Sequence, residues 1–255
     1  MMLLAEQRRV KILELLEEEG SARVSYLSKT FDVSEPTIRQ DLEKLEAEGY
    51  IVREHGGAFL KSVPQQVGSL SLQHQENIDK KSRIGKKATE FIEDWDSIIL
   101  DSGSTVTEVA KNLTEKQHLK IITNALNIAL LLGSHPFFEL HVTGGEFKAP
   151  TLSLTGEKAA GFFRQLHVDK LFLATAGLSW KAGLTYPGLS DLPVKKAMIE
   201  SANEVYLVAD STKIGNAAFA SLGGLELIHY FITDDGITEE DKQMFENKGV
   251  RVIVA

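Results

Sequence analysis

The sequence predicts an α/β chain in two parts: a small, mainly helical N-terminal domain over residues 1–60, and a larger domain over 81–255 with a largely parallel sheet. Three observations predict it. Before residue 60, amphipathic helical patterns run into one compact strand pair; residues 61–80 carry no clear period; and from Ser97 onward short apolar runs alternate with amphipathic stretches. With 255 residues, 43% hydrophobic and 25% charged, the chain can bury sizeable cores, which excludes disorder and fibre.

Composition removes several function classes. No apolar run reaches the roughly 18 to 20 residues of a membrane helix, and Met1-Met2-Leu3-Leu4 is interrupted at once by Glu6 and Arg8-Arg9, so no signal peptide and a cytoplasmic location are expected. The absence of cysteine removes disulfides, thiolate nucleophiles and Cys-ligated metals. Seven scattered histidines (55, 74, 118, 135, 141, 167, 229) show no ligand spacing, so neither a metal nor a cofactor is expected. A net charge of −8 and a pI near 5.5 oppose non-specific polyanion binding, which needs clustered Lys and Arg.

In the first domain, Ala5, Ile12 and Leu16 share a helical face, with Gly20 where a stop belongs. Val24, Leu27, Ser28 and Phe31 follow i, i+3, i+4, i+7 spacing, giving a second helix that ends at Asp32. Ser34 can cap a third helix, with Glu35 and Pro36 in its first turn and Val33 stapled to Ile38. Ile38, Leu42 and Leu45 then form its buried stripe, and the opposite face carries Pro36, Gln40, Glu43 and Lys44, flanked by Thr37 and Arg39.

Those are groove-reading side chains. Gln can bridge adenine N6 and N7, Arg guanine O6 and N7, and Ser34 or Thr37 near a helix N-terminus can hold a phosphate. Gly49 ends the helix, Tyr50 to Arg53 has β-propensity, and His55-Gly56-Gly57 offers two glycines for a tight reversal at positive φ. This is the pattern of a helix-turn-helix with a wing. A small bundle that docks on the rest of the protein fits the same periodicity, and residues 1–60 hold eight Lys and Arg against twelve Asp and Glu, whereas DNA modules are usually basic.

Arg8-Arg9 before Ile12-Leu13, then Val33-Ser34, Thr37-Ile38-Arg39-Gln40-Asp41-Leu42, Leu45, Gly49 and His55-Gly56-Gly57-Ala58 together resemble the winged helix-turn-helix signature of DeoR/GlpR transcriptional regulators. The resemblance implies operator DNA as a partner, contacted through Ser34, Pro36, Thr37, Arg39, Gln40, Lys44, Arg53, His55, Gly56 and Gly57. The family usually has two arginines before the Asp, where this chain has Arg39-Gln40.

Pro64, Gln65-Gln66 and Gly68 mark the linker, and Lys80 to Lys87 is a basic run opening a helix with Ile84, Ala88, Phe91 and Ile92 on its apolar face. The strands are expected at Ile98–Leu100, Leu119–Ile122, Phe138–Val142, Lys170–Ala174, Val205–Ala209, Tyr230–Ile232 and Val250–Val254. Ligands of such sheets sit outside the carboxyl ends of the strands. There the sequence places Asp101-Ser102-Gly103-Ser104-Thr105, Thr123-Asn124, Thr143-Gly144-Gly145 and Asp210-Ser211-Thr212-Lys213.

Hydroxyls and a glycine opening a helix make a phosphate cradle, although an ordinary Ser- or Thr-capped βα turn has the same composition. Asp191 and Lys195 stand at the spacing of a routine i, i+4 helix pair. The family resemblance extends over these motifs too, with Asp191 in place of the more usual Glu and Thr212 in place of the more usual Ser. It implies an effector domain similar to ribose-5-phosphate isomerase, a phosphorylated sugar or related metabolite as ligand, and a homo-oligomer, dimer or tetramer. The alternative is a sugar-phosphate isomerase with an accessory domain. Enediol chemistry needs a positioned base, and Ala174-Thr175-Ala176-Gly177 supplies no carboxylate at the strand end, so no catalytic residue is expected. The predicted function is a repressor of a carbohydrate-utilisation operon.

Overall fold

The computed structural model describes residues 4–19, 21–54, 56–61 and 76–255. The expectations for Gly20, His55 and the linker residues Pro64, Gln65, Gln66 and Gly68 lie outside the described residues. The chain divides into two compact units, residues 1–76 and 77–255. No described helix is long and apolar enough to cross a membrane.

The first unit contains α1 (Ala5–Glu19), β1 (Ser21–Arg23), α2 (Val24–Phe31), α3 (Glu35–Ala47), β2 (Ile51–Glu54) and β3 (Gly57–Leu60). Asp32 closes α2 in the left-handed conformation, and the Thr37 amide donates to Ser34 Oγ at 3.4 Å to cap α3. Ile12 and Leu16 of α1, Leu27 of α2, and Ile38, Leu42 and Leu45 of α3 pack with Ile51 and Ala58 in one core. The strands form an antiparallel sheet in the order β1-β3-β2. Three residues are too few for β1 to show a sequence period, so this strand is absent from the expectation.

One expectation about the wing is corrected. Gly56 turns the chain at φ +76°, but Gly57 does not share that conformation: it is buried in β3, opposite both Glu54 and Arg23. With Gly57 paired to Glu54, it belongs to the strand pair and not to the turn. The Gly56 carbonyl accepts from the Val24 amide at 2.9 Å, tying the turn to the start of α2.

Asp41, on the inner side of α3, is buried and accepts from Arg8 Nε at 2.6 Å and Arg9 Nη1 at 3.4 Å. This pairing gives Arg8-Arg9 a physical role: both α1 arginines fix the rotation of α3, so that when Asp41 faces inward, Gln40 and Lys44 face out.

The second unit is organised by a seven-stranded, wholly parallel sheet. In chain order its strands are β4 (Ser97–Leu100), β5 (Lys120–Thr123), β6 (Glu139–Val142), β9 (Val168–Leu173), β12 (Ala202–Val208), β14 (Tyr230–Thr233) and β15 (Arg251–Val254). These are the seven apolar runs of the sequence. Their spatial order is β15-β14-β12-β9-β4-β5-β6, so the chain winds outward from β4 to one edge, then from β9 to the other, and the order reverses between β4 and β9.

Both faces of the sheet are buried. Ile98 and Leu100 of β4 belong to the core beneath α4 (Ile78–Thr89), α5 (Ser104–Lys111) and α6 (Leu126–Leu132), whereas Ile99 belongs to the core that includes Ala159, Ala160 and Phe163 of α7 (Gly156–Phe163), Val194 and Met198 of α8 (Leu192–Glu200), and Phe245 of α9 (Glu239–Glu246). Two small additions escaped the sequence expectation: the hairpin β7 (Glu146–Lys148) with β8 (Ser153–Thr155), and the antiparallel sheet β10 (Gly177–Ser179), β11 (Gly183–Tyr186) and β13 (Ala220–Gly223). They are three or four residues long, too short to show a period or an apolar run.

The sequence reading ends the linker at residue 80; in the structure Ile78 to Lys80 already form the first turn of α4. The basic run that follows is used internally. Lys80 Nζ lies 2.8 Å from Asp234 Oδ2, and Arg83 Nη2 lies 2.8 Å from Asp235 Oδ1.

Asp41→Ala should destabilise the protein by about 3 kcal/mol, because it removes the carboxylate that two enclosed guanidinium groups share; urea unfolding of the full chain measures it, and a loss below about 0.5 kcal/mol would show that the pairing does not hold α3. A second expectation concerns acid. Burial alone would raise the Asp234 carboxyl, but hydrogen bonds from Lys80, Ser211 and the Gly236 amide outweigh it and hold the pKa at about 2, below the ordinary value of about 3.9. The stability gained is complete above about pH 4 and is lost as pH falls towards 2. Asp234→Asn should therefore be less stable at neutral pH and show a flatter stability profile between those limits; a profile parallel to the wild type would contradict this.

Candidate functional site

Two regions carry the predicted site residues, one in each unit. On α3, Ser34, Pro36, Arg39, Gln40 and Lys44 are exposed and Thr37 is partly so, a continuous polar face opposite Ile38, Leu42 and Leu45. Ser34 Oγ and Thr37 Oγ1 are 2.9 Å apart at the N-terminus. Arg39 Nη2 is 2.6 Å from Glu35 Oε2, an exposed pair that contributes little and can be given up to a phosphate or base.

Arg53, expected among the DNA contacts, is paired within the first unit. Its guanidinium is 3.1 Å from Glu43 and 3.7 Å from Glu46, and its amide donates to Glu46 Oε1 at 3.0 Å. It braces β2 against α3. Gly57, buried in β3, likewise contributes strand pairing rather than surface, while Gly56 is exposed. The acidic residues around this face favour short-range recognition over bulk attraction to a polyanion.

In the second unit a wholly parallel sheet brings every carboxyl end to one edge, so Asp101, Thr123-Asn124, Thr143 to Gly145 and Asp210 follow β4, β5, β6 and β12 along a common rim. At its centre, at the reversal of strand order, Asp101 is fully buried after β4. Its Oδ1 accepts from the Ser102 amide at 2.6 Å and from Lys195 Nζ, and its Oδ2 accepts from the Ala174 amide at the end of β9 at 3.0 Å. Lys195 Nζ is also 3.4 Å from Ser102 Oγ and 5.5 Å from the Tyr186 ring centre. Burial, then the charges of Asp101 and Asp191, push the Tyr186 hydroxyl well above its ordinary pKa. It stays protonated and donates to the Ala174 carbonyl at 2.8 Å.

Asp191 and Lys195 are not the i, i+4 pair that their spacing suggests. Lys195 reaches Asp101, and Asp191 accepts from Lys148 Nζ at 2.7 and 2.6 Å. Asp191 precedes α8 and Lys195 lies in its first turns, so two neighbouring charges reach different elements. Lys148 is absent from the sequence expectation, since no local pattern connects it to a partner 43 positions away. Tyr186, at the end of the four-residue strand β11, gives no local signal either.

The turn after Asp101 bears on the capped-turn alternative. The residue before α5 is Gly103, and no side chain caps the helix; the first intrahelical bond runs from the Thr107 amide to the Gly103 carbonyl at 2.9 Å. The amides of Ser104, Thr105 and Val106 thus have no intrahelical acceptor. A Cβ at residue 103 would stand 2.6 Å from Ala174 Cβ, so only glycine allows β4 and β9 to close on the turn. Ser104 is partly exposed and Thr105 buried. An anion can use those amides, with Lys195 close by.

Along the rim, Thr123 Oγ1 donates to the Leu100 carbonyl at 2.7 Å and accepts from the Ala125 amide at 3.0 Å, which fixes the turn after β5. Asn124 Nδ2 donates to the Leu154 carbonyl at 3.0 Å, while Asn124 Oδ1 and Thr143 Oγ1 are buried without partners among the described residues. Gly144 is exposed; at Gly145 a Cβ would stand 2.6 Å from the Thr155 carbonyl oxygen. Asp210 caps a short turn by accepting from the Thr212 amide at 3.1 Å, and the Lys213 amide donates to the Asp210 carbonyl at 3.0 Å. The arrangement offers helix amides and ammonium groups for an anion, with carboxylates and an amide oxygen for hydroxyls.

Comparison with known proteins agrees with both halves. Residues 8–63 match the DeoR-like helix-turn-helix domain, and residues 76–235 match the DeoR C terminal sensor domain. The chain is 36% identical over 252 residues to the uncharacterized HTH-type transcriptional regulator YulB of Bacillus subtilis, covering 98% of this chain and 96% of that protein. It is 32% identical over 249 residues to the HTH-type transcriptional repressor GlcR of the same organism, covering 98% and 96%. Among solved structures, ribose 5-phosphate isomerase A from Methanocaldococcus jannaschii aligns over 54% of this chain and 55% of its own, with 18% identity and a TM-score of 0.40. The chain belongs to the DeoR family of helix-turn-helix transcriptional regulators.

Proposed function

We propose that this regulator is a cytoplasmic repressor of a carbohydrate-utilisation operon, and that a phosphorylated sugar in the second unit releases it from its operator. The observation that carries the ligand reading is the uncapped N-terminus of α5 behind Gly103, set beside the Lys195–Asp101 pair at the point where strand order reverses. The phosphate sits on the amides of Ser104, Thr105 and Val106 with Lys195 nearby, and Lys213 adds charge from the rim. The hydroxyls face Asp191, Asn124, the turns at Thr123 and Gly144-Gly145, and Asp210. The naming of GlcR as a repressor supports the sign. An isomerase reading is not favoured: both oxygens of Asp101 are held by Lys195 and by the Ser102 and Ala174 amides, so this carboxylate is not a poised base.

On DNA, Gln40 and Arg39 read bases from the exposed face of α3, Ser34, Thr37 and Lys44 contact phosphates, and the Gly56 turn approaches the backbone. Arg53 joins them only by leaving Glu43 and Glu46. A single module of this kind reads one half-site, so a homo-oligomer supplies the second.

Thermal-shift screening against three- to six-carbon sugar phosphates, with each unphosphorylated sugar as control, tests the ligand reading. A ligand that binds only the native state raises the melting temperature by mass action, and no shift from any phosphate would overturn it. Ser104→Glu should abolish the shift, because a carboxylate meets the ligand's dianion, while leaving operator affinity intact. Gln40→Ala should cost about 1 to 3 kcal/mol on operator DNA and little on scrambled DNA; equal losses on both, by fluorescence anisotropy, would remove Gln40 from base readout.

A further inference from the structure

We infer that Asn77 and Lys80 are positioning residues that connect the ligand rim to the linker, so that a change at Asp210 becomes a change at the root of the chain leading to the first unit. The inference rests on the ligand reading above. Asn77 is the first residue of the second unit and precedes α4 in the left-handed conformation at φ +53°. Its Nδ2 donates to Asp210 Oδ1 at 3.3 Å and lies 3.5 Å from Thr212 Oγ1. One turn on, Lys80 Nζ donates to Ser211 Oγ at 3.1 Å and pairs with Asp234 Oδ2 at 2.8 Å. Asp234 in turn accepts from the Ser211 amide at 2.6 Å.

The first turn of α4 is therefore attached by polar side chains to the carboxyl ends of β12 and β14, while the rest of the helix is held by apolar packing of Ile84 and Ala88. Polar contacts can be exchanged by a ligand; a buried apolar face cannot. Asp210 is fully buried, and its Oδ1 serves Asn77, the Thr212 amide and Thr212 Oγ1, whereas its Oδ2 has no partner among the described residues. A donor hydroxyl that engages Oδ2 reorients the carboxylate. Oδ1 then turns away from Asn77, whose contact is the longest of its three, and the first turn of α4 loses its hold.

The test uses the full-length protein, an operator fragment selected from random DNA by the wild type, and the sugar phosphate giving the largest thermal shift. Asn77→Gly removes the amide and accepts positive φ without strain; Asn77→Asp keeps a residue that tolerates this conformation and sets a carboxylate against Asp210; Lys80→Met removes the second contact. In the wild type, saturating ligand should weaken operator binding by about tenfold or more. In each variant, operator affinity without ligand should fall towards that of the ligand-saturated wild type, calorimetric ligand affinity should be no more than about threefold weaker than wild type, and the ligand-dependent loss of operator affinity should fall below about threefold. Wild-type release in all three variants would overturn the inference and leave the ligand reading intact. Loss of release in Asn77→Gly but not in Asn77→Asp would assign the effect to backbone stiffness and also overturn it. Failure of the wild type to bind any sugar phosphate would overturn both readings together.

Discussion

A carboxylate with no exposed surface must be paired, and the pairing of Asp101 is the constraint on which the second unit depends. One side chain joins the end of β4 to the end of β9 through the Ala174 amide, to its own turn through the Ser102 amide, and to α8 through Lys195. The sheet reverses its strand order between those two strands, so the crevice that the topology opens is also the place where this charge is buried. With Asp101 held, Gly103 sits against Ala174 and α5 starts without a side-chain cap. The anion-binding character proposed for the site follows from that sequence of constraints.

The first unit repeats the device on a smaller scale. Asp41 is the buried carboxylate there, and its arginine partners come from α1 rather than from the helix that carries it. In each unit, a buried acidic residue fixes the orientation of the functional element beside it: the exposed face of α3 in one case, the α5 turn in the other. The polar residues proposed to meet a partner sit next to the held carboxylate and remain partly or fully exposed, as Gln40 and Ser104 do. A net charge of −8 is compatible with this, because recognition rests on a few positioned groups.

Much of the fold was legible because the sheet is buried on both faces. A strand covered on two sides reads as a continuous apolar run, as Ile98-Ile99-Leu100 does, and all seven such runs are strands of the parallel sheet. β1, β7, β8, β10, β11 and β13 were not legible, since three or four residues are too few to carry a period. The rim was legible through one rule, that ligands gather where parallel strands end. Partner choice within it was not: Asp191 and Lys195 stand at helical spacing yet reach Lys148 and Asp101, and nothing local to either residue encodes a contact made across the fold. Gly57 shows the same limit in the wing, where a glycine pair reads as two turn residues until the strand register assigns one of them to β3.

A regulator of this construction is defined by the coupling between its two sites, and coupling is reciprocal in binding free energy. Titration calorimetry of the sugar phosphate into the free protein and into the protein saturated with operator measures it most directly. The account predicts weaker ligand binding to the DNA-loaded protein, by the same factor by which the ligand weakens operator binding. Equal ligand affinity for the free and DNA-loaded protein would contradict it, because the pocket would then be occupied without regulating anything.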